Sequence, residues 1–401
     1  MVSLIGNLGL LFFFKYFNFF NQALKNVFSY FQISYHIPVA DILLPVGISF
    51  YTFQSLSYTL DVFWKKRKAE RHLGMFALYV SFFPQLVAGP IERSVHLLPQ
   101  LFKIQIVDWR RIKAGLRLIL FGFFQKVVIA DTIAVMVEKI YSSPEAYSGG
   151  TLLLATYFFA FQIYYDFSGY SDIAIGSSKI FGIDLMKNFN QPYLSSSIRE
   201  FWGRWHISLS SWFRDYLYIP LGGNKVPYSR WVLNIVVVFG LSGFWHGAQW
   251  TFFIWGLLHA FYYVVNVAYH KIFGQRWSEN VRNPFFLFLG KTGATLMTFH
   301  CVCLAWIFFR AESSQEAFQI VYKIFHSNWH EIYLVSVSAK FGFFVIAATE
   351  FCHGMARALS ARNVHWNDMP MILRWGAYYV MLFAVLIFIN FESKNFIYFQ
   401  F

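Results

Sequence analysis

Two histidines sit where an imidazole has little else to bond. His246 lies in Leu241-Ser-Gly-Phe-Trp-His-Gly-Ala-Gln-Trp250, between two runs that each read as membrane spans. Bulk water does not reach such a place, and an ionisable group inside a membrane defaults to a functional reading. On a helix, Ser242 precedes His246 by four residues and Gln249 follows it by three. Either could hold one ring nitrogen and so fix the tautomer. Trp245 adjoins the histidine, and Gly243 and Gly247 leave room for a backbone or a ligand to come close. The competing reading is a structural histidine bonded to a neighbouring helix.

His206 sits in the most aromatic and most polar stretch of the chain, residues 195–223, which holds three tryptophans and three arginines. Read as a helix over 199–216, it places Trp202, Trp205, His206, Leu209, Trp212, Phe213 and Tyr216 on one face. Arg204, Ser208, Ser211 and Asp215 fall largely on the other. Pro220 with Gly222 and Gly223 ends it. A lone histidine on an aromatic face is more often a packed residue than a catalyst, but His246 changes that weighting. His259 and His300 lie in apolar runs without comparable settings and read as structural.

A third constellation is Tyr164-Tyr-Asp166-Phe-Ser-Gly-Tyr-Ser-Asp172. Carboxylates at membrane depth usually face an interior or a cavity. Asp166 and Asp172 either lie at the interface or help to order the site, for example by pairing with an arginine of the central stretch.

The elements that must carry these residues are membrane helices. Of 401 residues 57% are hydrophobic and 13% are charged, against about 25% charged in ordinary soluble domains. A span takes about 20 mostly apolar residues. Candidates fall near 1–20, 42–64, 73–90, 116–137, 151–172, 231–247, 249–268, 293–309, 332–352 and 371–391. The first lacks a cleavage site and reads as a retained span. The net charge of +13 reads as Lys and Arg collected in cytoplasmic loops, not as nucleic-acid binding. Two such clusters, Lys65–Lys68 with Arg71 and Arg110–Arg117, flank the segment 73–90. Phe82-Phe-Pro-Gln-Leu-Val-Ala-Gly-Pro90 breaks that segment. A re-entrant element would keep both clusters on one side, and irregular backbone at that depth must be buried or line a wet cavity. The three cysteines form no metal-ligand or disulfide framework.

Phe201-Trp-Gly-Arg-Trp-His206-Ile-Ser-Leu-Ser-Ser-Trp-Phe-Arg-Asp215-Tyr-Leu-Tyr-Ile-Pro-Leu-Gly-Gly223 and Gly243-Phe-Trp-His246-Gly resemble the membrane-bound O-acyltransferases. The likeness is to the bacterial branch, with its alginate and peptidoglycan O-acetyltransferases and the D-alanyl transferase of teichoic acid. Tyr165–Asp172, Phe83–Ile91 and the terminal Phe396–Phe401 look like further landmarks, so the resemblance runs over essentially the whole chain. It implies an all-α polytopic membrane protein, a single domain over 1–401, with about ten spanning or re-entrant helices around a buried histidine tunnel. Family members usually carry further apolar segments ahead of the one that Met1–Phe20 resembles, so the chain is expected to lack them.

The resemblance also implies roles. His246 matches the family's catalytic histidine, a general base that takes a proton from an acceptor hydroxyl attacking an acyl thioester. His206 matches the second motif histidine, which polarises the thioester carbonyl or orients the acceptor. Trp205, Arg204, Arg214 and Asp215 support that wall, or the two arginines meet the phosphates of coenzyme A. The donor is then acetyl-CoA, with no permanently bound cofactor and no metal. A periplasmic SGNH-type acetyltransferase or other acetyl acceptor is the expected partner, and the bacterial inner membrane the expected location. A transporter or channel gated by histidines is the reading from another class. The absence of visible repeats and the long His206 motif argue against it.

Overall fold

The computed structural model describes residues 1–40, 45–86, 89–280, 283–327, 337–362 and 366–389. The terminal motif Phe396–Phe401 lies outside them, as do residues 87–88 of the expected break and 332–336 of one expected span. Every regular element among the described residues is helical, in accord with the all-α reading. Five helices are long and apolar enough to cross a bilayer: Val2–Tyr30, Trp109–Tyr141, Trp250–Ile272, Phe285–Arg310 and Met371–Phe388. Large apolar side chains such as Ile5, Phe286, Phe288, Ile372 and Val380 are exposed on them. Lipid tails solvate such groups as well as a protein core does.

The chain divides into two compact units, Met1–Ile106 with Ile183–Phe309, and Val107–Gly182 with Arg310–Gln400. In the first, the expected break is real. Helix Leu73–Ser81 stops where Phe82 leaves the helical region at ψ 105°, and Phe83–Leu86 forms one short turn. Pro84 falls in that first turn, where a missing N–H is tolerated. The Tyr79 carbonyl at the broken end accepts from the buried amides of Gln54 (2.7 Å) and Gln85 (2.8 Å). Backbone groups freed inside a membrane protein need internal partners of this kind.

Helix Tyr228–His246 turns back at Gly247 and returns as Trp250–Asn280. The two run backbone against backbone. A Cβ on Gly243 would stand 2.3 Å from the Phe252 carbonyl oxygen, and one on Gly256 2.3 Å from that of Phe239. The room that Gly243 provides is therefore taken up by backbone, as small residues allow at membrane helix interfaces. Trp231, Ile235, Phe239 and Ala260 fill the seam, with Trp202 and Tyr218 packed against it.

The second unit is built on helix Trp109–Tyr141, with a π turn at Phe124–Ala130, packed against Gly149–Ile180. Helix Ser314–His326 starts on the cap of Ser313, whose hydroxyl accepts from the Glu316 N–H at 3.1 Å. Its Lys323 donates to the carbonyls of Pro144, Glu145 and Tyr147 at 2.7–3.2 Å.

The close contact at Gly243 sets a stability prediction. Gly243→Ala should destabilise the folded protein by about 1–3 kcal/mol, the usual range for overpacking. A lowered unfolding midpoint in detergent is the expected result, and an unchanged midpoint would show that the helices part at no cost.

Candidate active site

The helix expected over 199–216 is broken at the histidine. Helix Ile198–Trp202 ends, His206 takes a left-handed conformation (φ 43°, ψ 54°), and Ile207–Phe213 starts anew and runs into a π turn at Arg214–Tyr218. The reason lies in segment 188–190. The Asn190 N–H donates to the Arg204 carbonyl (3.0 Å), and the Ile207 N–H donates to the Asn188 carbonyl (2.9 Å). These bonds replace the intrahelical ones across the break. A positive φ outside glycine stores about 1–3 kcal/mol and persists only where the surroundings dictate it. His206 is fully buried, and Trp205, Leu209, Trp212, Phe213 and Tyr216 of the expected apolar face are buried, while Trp202 of that face is half-buried.

Ser208 departs from the expected pattern: helical spacing assigns it to the polar side, and it is completely buried. Its hydroxyl donates to Asn188 Oδ1 (2.6 Å) and accepts from the Ile91 N–H (3.0 Å). Arg93 adds bonds to the carbonyls of Ile91 (3.2 Å) and Ser208 (3.3 Å) and to Ser211 Oγ (3.3 Å). The broken segment after Tyr79 is thus bolted to the turn that holds His206.

His246 is the last residue of its helix, and Gly247 is already extended (φ −162°, ψ 149°). Gln249 therefore does not share that helix; its side-chain carbonyl accepts from Thr251 Oγ1 at 3.4 Å. Ser242 lies buried one turn before the histidine. The imidazole packs against Trp245 (ring centroids 4.9 Å), Trp255 (5.0 Å) and Phe309 (5.3 Å). The His206 ring lies 6.2 Å from the same Trp245. One indole therefore touches both motif histidines. It is itself stacked on Phe53 at 5.3 Å, which stacks on Trp212 at 3.9 Å.

The end of this helix has a feature that the sequence reading missed. Lys15 Nζ donates to the carbonyls of Trp245 (2.7 Å) and His246 (3.0 Å), and the Tyr16 hydroxyl donates to that of Phe244 (2.9 Å). A lone lysine within an apolar run was the available signal.

The remaining candidates are held by near neighbours. Arg204 pairs with Glu200 at 2.5 Å and Arg214 with Asp215 at 2.8 Å. Burial works against the Glu200 anion, but bonds from the Ser196 N–H and hydroxyl, with Arg204, bring its pKa below the usual value. Asp166 and Asp172 belong to the second unit, where Lys126 bonds Asp166 at 2.7 Å and the Gln125 amide donates to Asp172 at 2.7 Å. The cation shown on Asp166 is thus a lysine of a neighbouring helix. His259 is fully buried and accepts from Trp202 Nε1 at 3.3 Å. Among the described residues no three His, Cys, Asp or Glu side chains are gathered as a metal would need.

The model of the membrane-bound O-acyltransferase family matches residues 68–309, the stretch that contains both motif histidines. The chain belongs to this family. With five apolar helices among the described residues, it is a multi-pass membrane protein. It is 37% identical over 348 residues to a peptidoglycan O-acetyltransferase of Helicobacter pylori, covering 80% of this chain and 63% of that one. A probable alginate O-acetylase of Pseudomonas aeruginosa is 39% identical over 326 residues, 81% of this chain and 60% of that protein. A teichoic acid D-alanyltransferase of Bacillus subtilis is 30% identical over 294 residues, 68% of this chain and 70% of that one. The chain spans about three fifths of the length of the first two relatives.

Ser208 offers a test of how the His206 turn is held. Ser208→Ala leaves a buried N–H and a buried carbonyl oxygen without their bond, at about 1–3 kcal/mol each. A lower unfolding midpoint in detergent is expected. A midpoint equal to that of the parent would show that Arg93 and the backbone suffice.

Proposed function

We propose that the protein is a membrane O-acyltransferase that draws an acetyl group from cytoplasmic acetyl-CoA and supplies it for O-acetylation of an extracytoplasmic polysaccharide. The observation that carries this reading is that His206 and His246 are both buried against the Trp245 indole. In the proposed reaction His246 takes the proton of an acceptor hydroxyl. The hydroxyl oxygen attacks the thioester carbonyl carbon, a C–O bond forms and the C–S bond breaks. The proton passes from His246 to the departing sulfur, so coenzyme A leaves as its thiol. His206 faces the carbonyl side and steadies the charge that develops on oxygen. The Nε1–H groups of Trp245 and Trp255 are buried and have no acceptor among the described residues. A carbonyl oxygen is the acceptor such donors would meet in a loaded site.

The arrangement suits the task on physical grounds. Coenzyme A is charged and cytoplasmic, and the polymer lies outside. A helix end and a broken helix inside the protein let the two meet without moving coenzyme A through lipid. An alginate-like exopolysaccharide is the first acceptor proposed. Peptidoglycan is the second, supported by the comparable identity of the Helicobacter relative, and D-alanyl transfer to teichoic acid ranks below both. The location is the bacterial inner membrane, and a periplasmic SGNH-type acetyltransferase is the proposed partner.

Membranes incubated with labelled acetyl-CoA test the reading. Label should enter the polymer fraction, His206→Ala should reduce the rate, and His246→Ala should lower it by about 10²–10⁴-fold, the worth of general-base help. The proposal would be falsified by wild-type transfer in His246→Ala at equal protein level. Solute flux without acyl transfer would support the transporter reading instead. Mass analysis of the polymer from a deletion strain identifies the acceptor.

A further inference from the structure

We propose that Lys15 is a positioning residue for the reaction: its ammonium group fixes the helix end that carries His246. The inference rests on the reading of His246 as the base. Helix Tyr228–His246 ends inside the protein, and a helix end leaves its last carbonyls without intrahelical partners. Here Tyr16 serves Phe244, while Lys15 serves Trp245 and His246. Two consecutive residues of one helix thereby hold the backbone of three consecutive residues of another. The cation also stands at the negative end of the helix dipole and over the Trp245 ring, 6.0 Å from its centroid. It thus stands at cation–π range of the indole that meets both histidines.

Two independent facts favour a role beyond packing. Lys15 interrupts an otherwise apolar run in helix Val2–Tyr30, where a charge is expensive and is retained for a purpose. It also lies in a π turn, Phe12–Tyr16, a departure from the α-helix that concentrates at functional sites. Lys15 stands outside residues 68–309, the stretch that the family model matches.

Freed of these bonds, the His246 backbone can shift, and a misplacement of about 1 Å costs on the order of 100-fold in rate. The experiment measures kcat and KM for acetyl-CoA in membranes, per folded protein counted by size exclusion in detergent. Lys15→Met should lower kcat by about 10- to 100-fold and leave KM within about twofold. Lys15→Arg, which keeps both charge and donors, should recover most of the loss. If Lys15→Met is not recovered folded, Lys15→Gln, with an N–H donor on a shorter stem, takes its place in the same assay. A wild-type kcat in the Met or Gln variant, a loss confined to KM, or no recovery with arginine overturns the proposal. His246→Ala run alongside separates the two claims. If that variant is dead while Lys15→Met is fully active, only the lysine's role falls. If His246→Ala is fully active, the base assignment falls and takes the lysine's role with it.

Discussion

A helix that ends within an apolar protein must find partners for its last carbonyls, because no water is there to take them. In this chain that constraint lands on the motif histidine His246. Phe244, Trp245 and His246 present their carbonyls to the side chains of Lys15 and Tyr16, so the backbone of the motif histidine is tied through polar bonds. Its side chain is tied differently, by Trp245, Trp255 and Phe309. Polar bonds fix where the ring is attached and aromatic contacts fix how it is turned. Neither alone would fix both the position and the orientation of the imidazole.

His206 answers the same problem from the other direction. Its backbone is not at a helix end but in a left-handed turn between two short helices. The groups that the break frees are taken up by Asn188 and Asn190, and the turn is locked by Ser208 and Arg93. Strain at one residue is balanced by bonds at these four others. The cost is tolerable because the bonded partners come from segments that are themselves irregular, residues 188–190 and the stretch after Phe82. Chain outside a regular helix has N–H and C=O groups that no intrahelical ladder claims.

How much of this can be read from the sequence follows from the range of each interaction. The helical architecture is legible because membrane depth demands long apolar runs, and each expected span has a helix within it. The two histidines are legible because their motifs are rich in rare residue types. The break near Pro84 is legible because proline acts locally. The turn at His206 is not, since its apolar spacing fits an unbroken helix and the bonds that break it come from residue 188 and residue 190. Ser208 misleads for the same reason: helical periodicity assigns a face, but a hydroxyl with two buried partners can sit on any face. Gln249 misleads because periodicity does not tell where a helix stops.

Lys15 shows where the sequence reading needed one more step. In the sequence it is a charge in an apolar run, and its partners, the carbonyls of Trp245 and His246, lie 230 and 231 residues away. The structure adds that three π turns among the described residues each hold one cation: Phe12–Tyr16 with Lys15, Phe124–Ala130 with Lys126, and Arg214–Tyr218 with Arg214. Each cation has a near partner, namely two carbonyls, Asp166 with Asp131, and Asp215. A π turn inserts one extra residue into the helical repeat, so the side chains beyond it are rotated relative to those before. In the apolar helices Val2–Tyr30 and Trp109–Tyr141 the π turn accompanies a basic residue, Lys15 or Lys126, whose head group meets polar partners, whereas Arg214 is exposed. In those two helices the extra residue reconciles a lipid-exposed surface with a charge that has polar partners, and in the first of them the partner is the helix end that carries His246.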